Sequence, residues 1–382
     1  LSILLPSPRA GVALLDPSRA EEDPTVGDYL DMVQRGQVEM TWRFVLLEPD
    51  LTPTGQEIYP SADSAPSISS DLTAALSRTL SGVLLRSIDM APQDYHRARL
   101  RVDCVLGDTG IVLPWGVFLI ATGTAVHRSP AWTDVVLAMV DQTVMVDQPL
   151  DETVSAPPGY PVRALIVEAL ERCPADLGDR VSIDGSAALL PAGQPLNWAV
   201  GRDTWGKVLR DLANLGGYWP PYFDNHGWLR LRSASTSLST PDVSYPGGLV
   251  FADSVGTHDV DYQAPNRFLV VNTSATASPI MARYDLPSSF PNSFQNRGFR
   301  VVKTLEAQGI ASTEQAYAMA KEEALRSAGG DSGHLVFSGP PDPRYDVATL
   351  VEWQGEVYVQ ASWSCSLTPG AEMGHTLRRH VK

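Results

Sequence analysis

Cysteine is scarce in this chain. Three occur in 382 residues, Cys104, Cys173 and Cys365. They are odd in number and too far apart for a disulfide framework or a paired CxxC metal site. Basic residues are also few, 29 Lys and Arg against 44 Asp and Glu, for a net charge of −15. Stable binding to nucleic acid draws on Lys and Arg to displace condensed counterions, so a chain with this balance is not expected to hold DNA. No acidic run is long enough to form a disordered tail, which spreads the negative charge over folded surface. Long apolar runs are missing too. The densest, Trp115-Gly-Val-Phe-Leu-Ile-Ala121, is far short of the roughly 20 residues that cross a bilayer. Leu1-Ser-Ile-Leu-Leu5 is too short for the apolar region of a signal peptide and follows no basic segment, so synthesis in the cytoplasm is expected. Neither GxGxxG nor GxxxxGK[ST] occurs, which removes the common phosphate cradles.

The chain is rich in turn formers, with 30 glycines and 30 prolines, and 43% of its residues are apolar. Its length predicts two or three domains, each able to bury a core. Residues 1–36 read as an extended N-terminal arm, with prolines at 6, 8, 17 and 24 and the acidic patch Glu21-Glu22-Asp23. Val38–Leu47 then alternates with a period of two, which predicts a strand. Further strands are expected at Arg78–Ile88, Arg99–Leu106, Val117–Ala121, Asp134–Met139 and Thr143–Asp147, separated by Gly, Pro and Asp clusters. Helical spacing follows at Val162–Arg172 and again at Thr204–Leu215, where Asp203 is the expected N-cap and Gly216-Gly217 the stop. Tyr218–Phe223, the turn Asp224-Asn-His-Gly227 and Trp228–Arg232 form an expected hairpin.

β character returns at Arg267–Asn272, Phe299–Lys303, Leu335–Ser338, Leu350–Trp353, Glu356–Gln360 and Ser362–Leu367. One helix interrupts it, Thr313–Ala328, opened by Ser312-x-x-Gln315 and closed by Gly329-Gly330. The reading is a mainly β chain with a few helices (α+β). Its divisions are the arm at 1–36, a first β domain at 37–160, a mixed α/β middle at 161–245, and a second β domain at 246–382 carrying the helix 313–328.

Candidate chemistry is weak. Gly330-Asp-Ser-Gly333 resembles the nucleophile segment of chymotrypsin-like proteases, with His127 upstream as a base. That chemistry needs an imidazole beside the Ser332 hydroxyl and backbone N–H groups around an oxyanion. The pattern departs from that family at His334, where glycine is usual, and at Arg128, where a cysteine follows the base. Gly329 and Gly330 also have ordinary work as a helix stop. Glu372, His375 and His380 lack HExxH spacing and read as a solvated terminal segment. Asp224-Asn-His-Gly227 lacks the alternating ligands of a calcium loop and reads as a turn. Most of the nine tryptophans sit in apolar alternation, as core residues do. No catalytic, cofactor-binding or metal-binding residue is assigned, and no enzyme is expected.

Several phrases in order resemble a tail protein of phages that infect actinobacteria. They are Thr41-Trp-Arg-Phe-Val45, Leu80-Ser-Gly-Val-Leu84, Trp115-Gly-Val-Phe-Leu119 and Asp141-Gln-Thr-Val-Met-Val-Asp-Gln148, then Trp205 with its helix, Tyr222-Phe-Asp-Asn-His-Gly227, Asp261-Tyr-Gln-Ala-Pro-Asn-Arg267 and Leu377-Arg-Arg379. The resemblance, over residues 38–382, is to the tail hub (minor tail or baseplate hub) family of siphoviruses. It implies two β-barrel-like domains joined by the mixed middle region and a homotrimeric ring closing the distal end of the tail tube. It further implies a place at the tail tip of the virion, with the distal tail protein, the tape-measure protein and a central tip or fibre protein as partners. DNA would meet the ring only in passage during ejection. The alternatives are another tail component such as a fibre adaptor, and a hydrolase using Ser332.

Overall fold

The computed structural model describes residues 40–58, 64–72, 74, 77–86, 98–106, 111–129, 132–190, 195–233, 241–245, 264–272, 280–307, 310, 312–331, 334–368 and 370–379. The expected arm at 1–36 lies outside them. The described chain is mainly β with a few helices.

Seven strands come first: β1 (Met40–Leu47), β2 (Pro53–Ile58), β3 (Ser67–Asp71), β4 (Arg78–Arg86), β5 (Arg99–Leu106), β6 (Ile111–Ser129) and β7 (Trp132–Asp141). A helical turn, α1 (Thr143–Val146), leads to β8 (Val154–Ala156), α2 (Val162–Arg172), β9 (Val181–Ile183), β10 (Leu196–Trp198) and α3 (Trp205–Leu215). The hairpin β11 (Tyr222–Phe223) and β12 (Leu229–Leu231) precedes β13 (Val243–Ser244). β14 (Arg267–Asn272), β15 (Met281–Asp285), α4 (Phe294–Arg297), β16 (Val302–Ala307) and α5 (Thr313–Asp331) follow. β17 (His334–Gly339), β18 (Leu350–Trp353), β19 (Glu356–Ser366) and β20 (Met373–Arg379) end the described chain.

The two β-rich stretches meet in one twelve-stranded sheet. Its order is β13-β18-β19-β3-β4-β7-β6-β5-β1-β2, with β20 beside β19 and β17 beside β20. The seam is the antiparallel pair β3–β19, from Ser362 opposite Asp71 to Ser366 opposite Ser67. A single apolar cluster spans the seam, joining Trp42, Phe44, Leu100 and Trp115 to Phe337, Val351, Trp363 and Leu377. A second cluster lies in the middle region, where α2 and α3 pack over β9, β11 and β12. The apolar stripe of α3 buries Trp205, Val208, Leu209 and Leu212, each stabilising the fold by roughly 1.5–3 kcal/mol. A third cluster forms where Ala316, Ala320 and Ala324 of α5 meet Phe268 and Val270 of β14. Small side chains four residues apart let the helix lie close to the three-stranded sheet β15-β14-β16.

Local chemistry shifts some expected boundaries. Thr143–Asp147, expected as a strand, is the turn α1, because the Asp141 carboxylate accepts the Thr143 N–H at 3.0 Å and bends the chain. Thr204 caps α3, accepting the Lys207 N–H at 3.1 Å, while Asp203 turns back to accept from Ala199 at 2.8 Å. α5 continues through Gly329-Gly330 to Asp331, and its opening cap is as expected, with the Gln315 N–H donating to Ser312 Oγ at 3.2 Å. Glu356–Gln360 and Ser362–Leu367 are one bulged strand, and Gln354-Gly355 makes the tight turn before it with φ of +52° and +82°.

Candidate functional site

The most heavily wired position is Arg78, the first residue of β4. Its side chain is 1% exposed, yet each arm of the guanidinium has an oxygen acceptor. Nη1 donates to the Trp115 carbonyl at 3.1 Å and to Asn225 Oδ1 at 2.8 Å, and Nη2 donates to Asp346 Oδ1 at 2.6 Å. The group also lies 5.4 Å from the centre of the Trp363 ring, whose Nε1 donates to Asp346 Oδ1 at 3.4 Å. These contacts draw together the first β stretch, the middle hairpin and the last β stretch. Asn225 is at the apex of the Asp224–Gly227 turn and closes the junction by donating Nδ2 to the Pro343 carbonyl at 2.7 Å. The turn is held by Asp224, which accepts the His226 and Trp228 N–H groups at 2.9 Å and Arg230 Nε at 2.6 Å.

Gly116 makes room for this arrangement. Its φ is +129°, and a Cβ there would stand 2.6 Å from Arg78 Nη1, so a side chain would displace the guanidinium. Behind it, the Asp141 carboxylate accepts from the Ser77 hydroxyl and from the Arg78 N–H at 3.1 Å. Burial pushes the Asp141 carboxyl above its ordinary range, and hydrogen bonds from Ser77 and Thr143 and the Arg78 charge oppose that rise. A planar cation satisfied on both arms by oxygen acceptors is a clamp between segments, not a group poised to transfer a proton.

A second polar group lies deep in the last β stretch. His375, expected in a solvated terminal segment, is on β20 and 1% exposed. The alternation Met373, His375, Leu377 points it inward with its apolar neighbours. Its ring stacks on Phe337 at 4.8 Å and meets Tyr345 and Tyr245 edge-on at 5.4 and 5.7 Å. Gln360 Nε2 donates to the Ser362 carbonyl at 2.6 Å, which leaves Gln360 Oε1 as the acceptor 3.4 Å from His375 Nδ1. The neutral ring therefore carries its proton on Nδ1. Burial lowers its pKa from 6.5 to about 3. Desolvation also pushes the Tyr245 and Tyr345 hydroxyls up, with Asp342 adding to the rise in both.

The sign of the resulting pH dependence is fixed. Above pH 6.5 the ring is neutral folded or unfolded; below it only the unfolded chain takes the proton, so stability falls as pH drops from 6.5 toward about 3. Between pH 7.5 and 4.5 the native chain should lose about 2–3 kcal/mol more than a His375→Phe variant. Paired denaturant titrations at the two pH values check this; equal losses in both chains would show that His375 is protonated in the fold.

Among the described residues, the remaining sequence candidates are not brought together. Ser332 and Gly333 lie outside the described residues. Gly330 and Asp331 belong to the last turn of α5, and the His127 backbone pairs with Thr133 in the β6–β7 hairpin. Glu372 is exposed while His375 faces the core, and His380 lies outside the described residues. Among the described residues no three His, Cys, Asp or Glu side chains gather as a metal site. Burial pushes the Cys104 and Cys365 thiols up to about 12, and also raises that of Cys173. All three are buried, far from the conditions that make a nucleophilic thiolate.

Sequence analysis did not single out Arg78, Asn225 or Asp346 as a group. A signal for part of it was present, because Trp115-Gly116, Asp141 and Asn225 each fall within a phrase that carries the resemblance to tail proteins.

No protein-family model matches the chain. No curated protein matches it by sequence either. Solved structures do share its fold. A tail protein from Neisseria meningitidis MC58 aligns over 89% of this chain and 97% of its own, with a TM-score of 0.57 at 13% identity. The 43 kDa tail protein of prophage MuSo2 from Shewanella oneidensis aligns over 88% and 98%, with a TM-score of 0.58 at 14% identity. A chain of the half-lidded Francisella PdpA–VgrG complex aligns over 95% of this chain and 62% of its own, with a TM-score of 0.50 at 7% identity.

Proposed function

We propose that this chain is a structural virion protein, the hub that closes the distal end of a phage tail tube as a homotrimeric ring. The observation that carries the reading is the end-to-end likeness in fold to a tail protein and a prophage tail protein, over 97% and 98% of their lengths. In this reading the stretches 37–160 and 246–382 are the paired β units of each subunit, and 161–245 is the piece that joins them. Three subunits then present six β units. Their heterologous contacts are all satisfied only when the ring closes, which keeps an assembly of this kind from growing into a filament.

The siphovirus type, with an actinobacterial host, follows from the sequence phrases. The distal tail protein and tape-measure protein sit above the ring, a central tip or fibre protein sits below, and DNA crosses it during ejection. The chain contributes no chemistry of its own; Arg78 and its partners hold the units of one subunit in register. The mass of the full chain in solution tests the assembly. Three times 41.3 kDa is expected. A mass of one or two chains across a wide concentration range would favour a fibre adaptor or another tail component instead.

A further inference from the structure

The sheet that crosses the seam has one face buried in the core and one open. On the open face, cross-strand neighbours form continuous rows. Ser364 of β19 lies opposite Ser69 of β3, which lies opposite Thr79 of β4. Gly374 of β20 extends this row on one side and Val140 of β7 on the other. In the adjacent row Ser366 lies opposite Ser67, and Ser67 opposite Ser81. Every one of these eight positions is exposed or half-exposed, and none is charged. Hydroxyls meet across the strands, Ser69 and Thr79 at 2.9 Å and Ser67 and Ser81 at 3.2 Å.

This composition is unusual for an open sheet face. Surfaces are commonly about 25–35% charged, so eight outward positions should hold two or three charged side chains. Serine is also a poor choice for a strand on packing grounds, which favour branched and aromatic residues. A protein-binding surface is a bad fit, because the centres of such interfaces are enriched in aromatics, Met and Arg and depleted in Ser. A nucleic-acid-binding surface fits no better, because these rows have no cation to displace counterions from phosphates. What remains is a patch rich in short hydroxyls across the joint between the two β stretches, and the next row, Thr376, Ser362 and Asp71, adds two more hydroxyls and one carboxylate but no cation.

We propose that this hydroxyl face is the inner wall of the ring, the surface past which duplex DNA slides. The assignment rests on the ring reading above and gives that ring's bore a chemistry. A conduit for a polyanion must not hold it, and a basic wall would do so at every phosphate it neutralised. On the eight positions named here the wall is neutral, and the short hydroxyls form hydrogen bonds within the wall.

Single Ser69→Cys and Ser364→Cys variants test this, because Cys104, Cys173 and Cys365 are buried and leave a quiet background. Each variant is probed with a small maleimide and with a maleimide carried on a rigid particle wider than the bore. The expected result is that the small reagent labels ring and dissociated subunit at equal rates, while the large one labels the subunit and not the ring. Protection from the small reagent on assembly would make the face a subunit interface, and labelling of the ring by the large reagent would place it outside. Either overturns the proposal. With duplex DNA as the probe, the unaltered ring should retain none at low salt. A ring carrying both Ser69→Lys and Ser364→Lys should retain it in a salt-dependent way. Retention by the unaltered ring, or none by the Lys variant, would also overturn it. Sizing each sample separates the two levels: a chain that never assembles removes the ring and this wall together.

Discussion

Arg78→Met should lower the stability of the folded chain by about 3–5 kcal/mol, the range for breaking a buried ion pair from one side. The substitution keeps much of the side-chain volume but leaves Asp346, 12% exposed, without its cation. It also strips the Trp115 carbonyl and Asn225 Oδ1 of a donor they share. Asp346→Leu should cost a similar amount by stranding the guanidinium. The double variant Arg78→Met, Asp346→Leu should cost clearly less than the two added together, because neither charge is then left alone in the core. Arg78→Lys should rescue little, since one ammonium cannot reach acceptors on both arms of a planar fork. Denaturant midpoints of the four variants decide the matter. A loss below about 1 kcal/mol for Arg78→Met would mean that the pair behaves as a solvated surface bridge.

Trp115→Ala should cost a comparable amount, about 3–5 kcal/mol, as emptying a packed aromatic site usually does. Trp115 is 1% exposed and stands between Trp42 and Trp363, edge-on to both at 5.3 and 5.6 Å. Its three-ring row crosses the seam, because Trp42 belongs to β1 and Trp363 to β19. Each edge-on pair adds about 0.5–1.5 kcal/mol beyond burial of area, so the alanine loses two such terms as well as the contacts. Trp115→Phe should cost much less, because it keeps a ring in the gap and loses an indole N–H that has no partner in the fold. The diagnostic readout is cooperativity. If the row ties the two β stretches into one unit, the alanine variant should unfold in a broader transition as well as an earlier one. An unchanged slope with only a shifted midpoint would assign the row to stability alone.

How far the sequence foretold this structure depends on where the signal resides. β5, β14 and β18 lie at the residues expected, β5 because Arg99–Cys104 alternates polar and apolar side chains, β14 and β18 because each is a short run rich in branched and aromatic residues. α2 and the body of α3 were equally legible from their stripes. β3 was not, for Ser67-Ile-Ser-Ser-Asp71 has a single apolar residue and is a strand only because β19 and β4 flank it. β20 looked like a polar tail because His375, Arg378 and Arg379 mask the inward alternation of Met373, His375 and Leu377. The Arg78 junction was invisible as a unit, since its partners are 37, 147 and 268 residues away along the chain. Only folding brings such groups together, and no period in the sequence encodes the meeting.

The hydroxyl face illustrates the same limit from the other side. Ser81, Ser364 and Ser366 fall in expected strands and Ser67 and Ser69 in none, and no segment taken alone shows a surface. Their meaning as a surface emerges from register, which places residues from β20, β19, β3, β4 and β7 in one row. Register is a tertiary quantity wherever the pairing partners are hundreds of residues apart, as Ser69 and Ser364 are.

The central claim is that three copies of this chain close a ring at the tip of a tail tube. Averaged images of the assembled full-length chain, taken down its symmetry axis, test it most directly. The account predicts threefold symmetry, with six similar β lobes around an open bore and the seam between β3 and β19 within each subunit. Twofold symmetry, an open helical array, or three lobes around a filled centre would contradict it.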